Sequence, residues 1–531
     1  MTQPVTTTPS TWAPLRVKAF RWLWLASLVS NVGAWMQTVG AQWLLVHAAN
    51  AAILVSLVQT ADMLPDVLFA IVGGVLADIL DRRRMIIAVQ TGLALTGALL
   101  ATLTITGHMS PALLLMFTFV IGSGSVFITP AYQSLVPELV PRDDVASAVQ
   151  LNSINVNIAR AVGPAIAGIV IARFGVGADF AINAGTFLAY AIVAVFWRPT
   201  TSIAPPHPER FLSALRAGGR YVRYSPVVRR ILLRAALFLV PASALWGLLP
   251  LVANRRLDLG PSGYGLLLGA LGVGAIAGAT LLSRVRAQLS TNGIVGLSGG
   301  FFCVALAVVA LLHSTIGVVL VLIPTGATWV WMLATLNTSL QLFLPVWVRA
   351  RGLSIYQMVL FGAQGLGALV WGIVADEFGL TVAFVAAATL LAAGTASMRL
   401  WPLFETANLD RSLVVRPDPE FDFETEPDAG PVVVWTTYSI PPEKESEFVN
   451  AMVRVRESRF RTGATEWGLF RNGEQPGDFE EIFFVNSWEE HLRQHRERLT
   501  GADIEFEDKA KSLSSTTPQT RHLFSTESEG L

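Results

Sequence analysis

Two stretches of the sequence, 204 positions apart, carry the same pattern of small and aromatic residues. The first is Ala161-Val-Gly-Pro-Ala-Ile-Ala-Gly-Ile-Val-Ile-Ala-Arg-Phe-Gly175, and the second is Gly365-Leu-Gly-Ala-Leu-Val-Trp-Gly-Ile-Val-Ala-Asp-Glu-Phe-Gly379. The same offset places Gly74 on Gly278 and Arg82 on Arg286. Glycine-rich apolar helices can look alike through composition alone, but one offset that fits two separate segments favours an internal repeat. The chain is therefore predicted to contain two parallel copies of one unit.

The chain is long and poor in charge. It has 531 residues, of which 53% are hydrophobic and 14% charged, whereas soluble proteins carry about 25% charged residues. Because so much apolar surface cannot be buried in one core, a lipid bilayer is the expected solvent. The net charge of zero provides no basic field for nucleic acid, and the single cysteine, Cys303, excludes a disulfide framework or a cysteine metal site.

Apolar stretches of about 20 residues, each long enough to span a bilayer, recur along the chain. We place them at 20–46, 53–80, 86–107, 111–134, 147–173, 178–198, 229–254, 263–286, 293–313, 315–343, 350–376 and 380–401. If both termini lie inside, the inner connections carry about fifteen arginines and the outer connections three. This asymmetry predicts a multi-pass protein of a bacterial inner or plasma membrane, with both termini in the cytosol.

The predicted domain boundaries follow the changes in composition. A cytosolic tail at 1–19 precedes a six-helix bundle at 20–198, a cytosolic linker at 199–228 and a second six-helix bundle at 229–401. Residues 402–431 hold five prolines among acidic residues, which is typical of a linker. A cytosolic soluble domain at 432–524 and a tail at 525–531 follow. The predicted fold is thus an all-α membrane protein of twelve transmembrane helices with a small C-terminal α+β domain.

The soluble domain alternates between strand-like and helix-like segments. Strands are predicted at 432–438, 466–471, 480–486 and 520–524, and helices at 442–460, from the capping box Ser487-Trp-Glu-Glu490 onward, and at 502–513. Phe448, Met452 and Val455 have the spacing of one helix face. The order βαββαβ indicates a ferredoxin-like fold.

The connection after the second predicted helix contains a glycine, an acid and a basic cluster, Gly74-Val-Leu-Ala-Asp-Ile-Leu-Asp-Arg-Arg-Arg84. It resembles the signature loop of the major facilitator superfamily, which has glycine where this chain has Asp81. The resemblance implies the twelve-helix transporter fold and a latch made of Gly74, Asp78, Arg82 and Arg83. In such a latch Asp78 accepts hydrogen bonds at the cytosolic seam. Positive-inside topology alone would also place arginines here.

The fifth predicted helix contains Arg160-Ala-Val-Gly-Pro-Ala-Ile-Ala-Gly168, which is similar to the exporter-associated motif of the same superfamily. Gly163 and Gly168 permit close helix packing, and Pro164 permits a bend. Together with the runs 130–141 and 347–353, this motif most resembles the transmembrane secretion effector branch, which includes enterobactin-exporter-like proteins. That resemblance covers roughly residues 15–400.

Three ionisable residues are predicted to lie inside the membrane. Asp62 and Asp66 are four residues apart in the second helix and share a face, and Arg160 lies in the fifth. An intramembrane charge costs about 2.5–3.5 kcal/mol on insertion scales, so these residues are candidates for proton coupling. Burial and mutual repulsion would let one carboxyl carry a proton near neutral pH, while Arg160 holds the other ionised. Alternatively, one or both aspartates lie near the outer end and are hydrated.

Polar residues of the first helix are candidates for the lining of a substrate cavity. These residues are Asn31, Gln37 and Gln42, although a single polar residue more often bonds one helix to another. The sequence contains no metal-ligand cluster, nucleophile triad or phosphate-binding loop. We therefore predict no cofactor, no metal and no catalytic residue, and only for the C-terminal domain does the question of an enzymatic activity stay open.

The soluble domain resembles antibiotic-biosynthesis-monooxygenase-like domains in the segments 448–452, 459–467 and 487–495. The resemblance implies that two copies pair around a small-molecule pocket, for which Trp467, Trp488 and His491 are candidates. The alternative is that these three residues belong to the core or the edge of the domain. His491 and His495 are four residues apart without an acid in the zincin position, so a metal site is not predicted.

The resemblances imply proton-driven export of a small organic molecule, such as a siderophore, a drug or a secondary metabolite. The implied partners are this substrate, protons, the lipid bilayer and a second copy bound through the soluble domain. The alternative is a membrane-tethered enzyme or sensor whose soluble domain acts on, or binds, the transported molecule.

Overall fold

A computed structural model describes residues 12–197, 211–404, 409–419, 426 and 429–525. At 71, 74, 75, 77–79 and 211–217 it describes the helical backbone and not the side chains. The chain divides into two compact units. Segments 1–205, 234–336 and 357–402 form the first unit, and segments 206–233, 337–356 and 403–531 form the second.

Long helices make up the part of the described chain that precedes the C-terminal domain. The first six are α1 Lys18–Leu45, α2 Ala51–Ile79, α3 Arg82–Ile105, α4 Pro111–Leu139, α5 Val145–Phe174 and α6 Val176–Phe196. After a shorter helix, α7 Phe211–Tyr224, come α8 Pro226–Leu251, α9 Pro261–Gln288, α10 Thr291–Leu311, α11 Thr315–Phe343, α12 Val346–Phe378 and α13 Leu380–Ala396.

Eleven of these helices are long and apolar enough to cross a membrane. The remaining long helix, α1, has 28 residues and is interrupted by polar ones, among them Ser30, Gln37 and Gln42, which are buried. It packs against α2, α5 and α6 within the first half, so its polar residues face protein and not lipid. The predicted all-helical membrane fold is confirmed.

The internal repeat is visible in the helix bounds. Helix α4 covers Pro111–Leu139 and α11 covers Thr315–Phe343, so both ends shift by the same 204 positions. Helices α5 and α12 also end 204 positions apart, and each is followed by a glycine in the left-handed region, with φ 80° at Gly175 and 89° at Gly379. Other residues would be strained at that φ, so the two glycines form the same turn twice.

The C-terminal domain has the predicted ferredoxin-like order. Its elements are β1 Val432–Ser439, α14 Glu445–Thr462, β2 Glu466–Arg471, β3 Asp478–Val485, α15 Trp488–Arg493, α16 Gly501–Ser512 and β4 Gln519–Phe524. The strands form one antiparallel sheet in the order β2-β3-β1-β4. One face of α14 packs on this sheet, because Phe448, Met452 and Val455 are buried against Tyr438 and Phe479.

The predicted capping box at Ser487 forms only in part. The Ser487 hydroxyl accepts from the backbone N–H of Glu490 at 3.3 Å, but the Glu490 carboxylate binds the Arg498 guanidinium instead. A complete capping box occurs at the start of α16, where the side chains of Thr500 and Asp503 satisfy each other's backbone N–H groups. The Glu490 carboxylate, which the sequence spacing assigns to the cap, is thus bound to Arg498 and not to the backbone N–H of Ser487.

Part of the predicted linker at 402–431 is bound to the C-terminal domain. Within 409–419, the N–H of Val414 donates to Leu499 O at 3.0 Å and the N–H of Arg416 donates to His495 O at 2.9 Å. The Arg416 guanidinium also lies 2.7 Å from the buried Glu507 carboxylate. This segment thus belongs to the domain, although its composition is that of a linker.

Helix α7 lies in the predicted linker at 199–228, of which residues 199–210 are outside the described part. It packs against α14 within the second unit. Tyr224 at its end stacks on Phe460 of α14, with ring centroids 4.3 Å apart and an interplanar angle of 11°. Contact with the C-terminal domain gives this polar segment the apolar partner that a short helix needs.

Candidate functional site

A cavity of about 460 Å³ lies between the two halves of the helical bundle, within the first unit. Its volume is in the range of sites that hold drug-sized molecules. Helices α1, α2, α4 and α5 of the first half and α8, α11 and α12 of the second half supply its lining. The lining residues are Asn31, Ala34, Trp35, Thr38, Gln59, Asp62, Met63, Asp66, Gly122, Ser125, Val156, Arg160, Trp246, Trp329, Leu333, Gln357, Leu360, Phe361 and Gln364.

Asp62 and Asp66 both line this cavity from the middle of α2. Pro65 lies between them and cannot donate a backbone hydrogen bond, which loosens the helix at this turn. Neither carboxylate makes a hydrogen bond or an ion pair with any residue that the structure describes. The pair can therefore accept a proton or a positively charged group of a substrate.

Arg160 lines the same cavity from α5. Its guanidinium carbon lies 5.8 Å from the centroid of the Trp35 ring on α1, which is a cation–π contact. Among the described residues it forms no ion pair with Asp62 or Asp66. The cavity thus offers separate acidic and basic groups, and neither cancels the other.

Tryptophans from both halves form one wall of the cavity. The Trp35 and Trp246 ring centroids are 6.3 Å apart, and those of Trp246 and Trp329 are 5.3 Å apart. Trp35 belongs to α1, and the other two belong to α8 and α11. An apolar ligand bound against this wall would contact both halves.

Asn31 lines the cavity and also a smaller neighbouring pocket of about 170 Å³ in the first half. Its Nδ2 donates to Asn155 Oδ1 at 2.9 Å. In the same pocket, the Tyr132 hydroxyl donates to Asn152 Oδ1 at 3.2 Å. A polar side pocket therefore extends from the central cavity between α1, α4 and α5.

Gln37 and Gln42 lie between helices and not in the cavity lining predicted for them. Gln37 Oε1 accepts from Asn183 Nδ2 of α6 at 2.5 Å. Gln42 Oε1 accepts from the Tyr264 hydroxyl of α9, and its Nε2 donates to Trp246 O at 3.3 Å. Both amides need buried partners inside an apolar bundle, and neighbouring helices provide them.

The Gln42 bonds belong to a seam that closes the two halves at one end. Trp43 stacks on Tyr264 with ring centroids 6.1 Å apart, and the Thr60 hydroxyl donates to Gly365 O at 2.8 Å. Helix α1 ends and α2 begins at this end, which the arginine asymmetry assigns to the outside. The central cavity is closed at the predicted outer end.

Gly163, Pro164 and Gly168 of α5 pack against two helices. A Cβ on Gly163 would lie 2.6 Å from Trp35 Cβ, and one on Gly168 would lie 2.8 Å from Pro261 O of α9. A Cβ on Gly265 of α9 would lie 2.6 Å from Pro164 O. Pro164 and Gly168 thus lie in a close seam between the halves, whereas Gly163 packs on α1 within the first half.

The predicted latch is described in part. Gly74 and Asp78 lie on α2, but their side chains are outside the described residues. Arg82 forms an ion pair with Glu138 at the end of α4. Arg83 donates to Ala194 O at 3.1 Å and to Val195 O at 2.6 Å at the end of α6. Both arginines thus bind within the first half, where they secure helix ends.

The three predicted pocket residues of the C-terminal domain lie in or beside its core. Trp488 and His491 are buried, with ring centroids 5.4 Å apart. His491 Nε2 lies 3.0 Å from His522 Nε2, and the half-buried Trp467 donates to Glu481 Oε1 at 3.0 Å. No group of three potential metal ligands occurs among the described residues. The placement matches the alternative reading of these residues as core.

Sequence reasoning missed several residues of the cavity and one buried acid. Gln59 shares the face of Asp62 and Asp66 at helical spacing, and Gln357 and Gln364 are seven residues apart on α12. A search for polar residues at helical spacing in every span would have found them. The buried acid is Asp179, near the start of α6.

Three kinds of comparison relate the chain to known proteins. The model of a family described as transmembrane secretion effector matches residues 9–530. A staphyloferrin A transporter of Staphylococcus aureus is 23% identical over 365 residues, covering 68% of this chain and 91% of that protein. The multidrug efflux pump Tap of Mycolicibacterium fortuitum is 25% identical over 377 residues, covering 68% of this chain and 90% of the pump.

Solved structures share the fold of the helical part. A bacterial homologue of the human lysosomal transporter Spinster, in an inward-facing and occupied conformation, aligns with a TM-score of 0.59 at 16% identity. That alignment covers 73% of this chain and 97% of the homologue. The nucleoside transporter NupG aligns with a TM-score of 0.55 at 12% identity, covering 73% of this chain and 100% of NupG.

Proposed function

This chain belongs to the transmembrane secretion effector family, and from that premise we propose that it exports a small organic molecule in exchange for protons. It is a multi-pass membrane protein and a secondary transporter, as its relatives are. The observation that carries the proposal is one cavity between the two halves, which combines tryptophans with two unpaired carboxyls and an arginine.

The lining of the cavity suits an organic substrate with apolar and polar parts. Trp35, Trp246 and Trp329 provide apolar surface, and glutamines and charged groups provide hydrogen bonds. One relative is a staphyloferrin A transporter and another is a multidrug efflux pump. A substrate of either class could use the tryptophan wall for affinity and the charged groups for orientation.

Proton coupling is assigned to the carboxyl pair. Two carboxylates one helical turn apart repel each other, so binding one proton between them is favourable. When the cavity is open to the outside, Asp66 takes up a proton, which displaces a substrate that was held by the negative charge. When the cavity is open to the inside, the proton leaves and the next substrate binds. Binding of proton and substrate would thus compete at one place.

The seam at the predicted outer end supports an assignment of this structure to the inward-facing side of the cycle. Contacts at Gln42, Thr60 and Gly168 join the halves there. Export requires these contacts to break so that the cavity opens outward. Hydrogen bonds of modest net energy and close glycine packing can be exchanged between two states without unfolding.

Transport in vesicles tests the proposal. The purified protein is reconstituted, a proton gradient is imposed, and a panel of siderophores, drugs and dyes is followed. We expect gradient-dependent accumulation of at least one class, and collapse of accumulation when an ionophore removes the gradient. Accumulation that needs ATP, or that persists without any ion gradient, would contradict the proposal.

A second candidate role, for the C-terminal domain, is favoured by its contacts within the second unit. The Arg498 guanidinium lies 5.1 Å from the Trp347 ring centroid, and Tyr221 of α7 contacts the same ring edge-on at 5.7 Å. Trp347 begins α12 and Arg498 follows α15. We propose that the domain is a structural or regulatory module, bound to α7 and to the connection between α11 and α12.

Removing the shared ring tests this role. Trp347→Ala should loosen the C-terminal domain, seen as faster protease cleavage in 402–431, and should slow transport. Trp401→Ala is a matched control, because Trp401 is half exposed in the first unit. An unchanged cleavage rate in Trp347→Ala would contradict docking, and oxygen uptake or substrate conversion by the purified protein would favour the enzyme alternative.

We also propose that two copies pair through the open face of the sheet. Phe470 of β2 and Leu523 of β4 lie on the face opposite α14 and are 55% and 45% exposed. The predicted likeness to paired domains makes a second copy the expected partner. Phe470→Glu should convert a dimer to a monomer in detergent, measured by light scattering, and a monomeric parent protein would contradict the pairing.

A further inference from the structure

A third membrane carboxyl, Asp179, lies outside the central cavity. It is fully buried in the first turn of α6, and neither carboxylate oxygen has a hydrogen-bond partner among the residues that the structure describes. The central cavity is lined by other residues, so Asp179 has no role in the mechanism assigned to the carboxyl pair. A buried acid without a partner in a membrane helix costs free energy of insertion, so such a residue is expected to have a function.

Asp179 belongs to a row of polar residues between the antiparallel helices α1 and α6. We call this row, which consists of Gln37, Asp179, Asn183 and Thr186, the polar ladder. A Cβ on Gly40 would lie 2.5 Å from Asp179 Oδ2, so the absence of a side chain at Gly40 makes room for the acid. One turn along, Asn183 Nδ2 donates to Gln37 Oε1 at 2.5 Å, and the Thr186 hydroxyl donates to Asn183 O at 2.8 Å. Gln37 Nε2 is also buried without a partner among the described residues.

The surroundings of Asp179 favour its neutral form. Within the first half, the titratable groups in the connections at the same end are His47, His108 and Arg173, and all three are exposed. Among the described residues, none forms an ion pair with Asp179. The outer part of α3, which also packs on α6, is uncharged between Gly97 and Ile105. The start of α6 favours a negative charge only weakly compared with the cost of burying an unpaired carboxylate.

We propose that Asp179 is a second proton-binding site, which takes up a proton from the outside when the outer seam opens and holds it while the seam is closed. The proposal rests on the proton-coupled export put forward above. Residues 37 and 40 of α1 contact the ladder, and residues 42 and 43 of the same helix hold Tyr264 in the seam. Opening of the seam frees this end of α1 from the second half and admits outside water to Asp179, so the acid takes up a proton before the seam closes again.

The ladder also points toward a route for the proton. From Asp179 it passes Asn183 and Thr186 on α6, and the next residue, Phe187, lines the side pocket that holds Asn31. That pocket adjoins the central cavity through shared lining residues. A chain of amide and hydroxyl groups, completed by water in the pocket, can pass this proton from Asp179 to the central cavity, from which it leaves to the inside.

Two measurements on the reconstituted full chain test the proposal. The first is the infrared carbonyl band of protonated carboxylic acids, compared between the wild type and Asp179→Asn at neutral pH. The second is the number of protons moved per substrate molecule. Asp376→Asn is the matched control. Asp376 lies near the C-terminal end of α12, which is also at the predicted outer end, and it is exposed. We expect Asp179→Asn to lose one protonated-acid band and to move one proton fewer per cycle.

An unchanged band in Asp179→Asn would show that the acid is ionised and would overturn the proposal. So would a lost band with an unchanged proton-to-substrate ratio, because Asp179 would then hold a proton that never leaves. Wild-type transport that is not driven by protons would overturn the proposed function, and the infrared band would still report separately whether Asp179 is protonated.

Discussion

The Tyr264 hydroxyl of α9 donates a hydrogen bond to Gln42 Oε1 of α1 at 2.5 Å, and this bond joins the two halves of the transporter at the predicted outer end. Gln42 also binds the Trp246 carbonyl, so one amide contacts two helices of the second half. Because the bond can exist only when the halves are close, its strength contributes to the balance between the closed and open states.

Tyr264→Phe should therefore favour the outward-open state. Loss of one hydrogen bond is worth about 0.5–1.5 kcal/mol, which corresponds to a roughly two- to tenfold rise in the open population. The measurement is the rate at which an impermeant maleimide, added outside, labels Ala34→Cys in the cavity of a Cys303→Ser background. The same labelling rate in the presence and absence of the Tyr264 hydroxyl would show that the bond does not control the seam.

Gly168→Ala should destabilise the seam between α5 and α9. Its Cβ would lie 2.8 Å from a backbone oxygen, Pro261 O, which cannot rotate away, and overpacking of this kind costs about 1–3 kcal/mol. Gly185→Ala in α6 is the matched control, since a Cβ at Gly185 would meet no atom within 4 Å apart from the local backbone of α6 itself, and alanine favours a helix. The melting temperature in detergent should be lower than that of the wild type for Gly168→Ala, and equal or higher for Gly185→Ala. Equal shifts would refute the steric argument.

Acid should destabilise the C-terminal domain through its histidines. Burial, with smaller contributions from His495 and His522, lowers the pKa of His491 to about 3, and burial together with His495 lowers the pKa of His522 to about 4. Unfolded histidines titrate near an ordinary value of 6.5. Between these values the unfolded domain binds more protons than the folded one, so stability falls as pH drops from about 6.5 to 4.

His522→Gln should flatten this dependence, because it removes one of the depressed histidines and keeps a polar group beside His491. The readout is the melting temperature of the C-terminal domain in the full chain across that pH range. His108→Gln, at an exposed position between α3 and α4, is the control. A variant that keeps the wild-type slope would assign the acid sensitivity to other groups.

Both termini are predicted to be cytosolic, from the arginine asymmetry. A topology reporter fused after Leu531, or inserted after Arg216 in α7, should report the cytosol. A periplasmic signal at either position would place the Gln42 seam on the inner side and reverse the direction assigned to the closed end.

The fold could be predicted from the sequence because apolar length and a repeated motif determine it. The stretch that ends at Gly175 shows this, since its copy at Gly379 forms the same turn. The C-terminal strands follow from short runs of β-branched and aromatic residues, such as 432–438. In the structure every second residue of β1, beginning with Val432 and Val434, is buried. Helix α7 could not be predicted, because its partner is α14 of a domain more than 200 positions away in sequence.

The residues of the site could be predicted only where their type is unusual for a membrane span. Asp62, Asp66 and Arg160 are charged residues in apolar spans, and the structure places all three in one cavity. Gln37 and Gln42 are also polar residues in an apolar span, but they lie on faces of α1 that contact neighbouring helices. The tryptophans of the second half carry no such signal, since aromatic residues occur throughout apolar helices.

Gradient-driven transport by Asp66→Asn, compared with Asp62→Asn, tests the central claim most directly. Asparagine keeps the shape of the side chain and removes its proton, so a carrier carboxyl loses coupling and keeps substrate binding. We predict that Asp66→Asn abolishes accumulation against a gradient while substrate binding and downhill exchange persist, and that Asp62→Asn has a milder effect. If both variants still concentrate substrate in response to a proton gradient, the carboxyl pair does not couple protons to export.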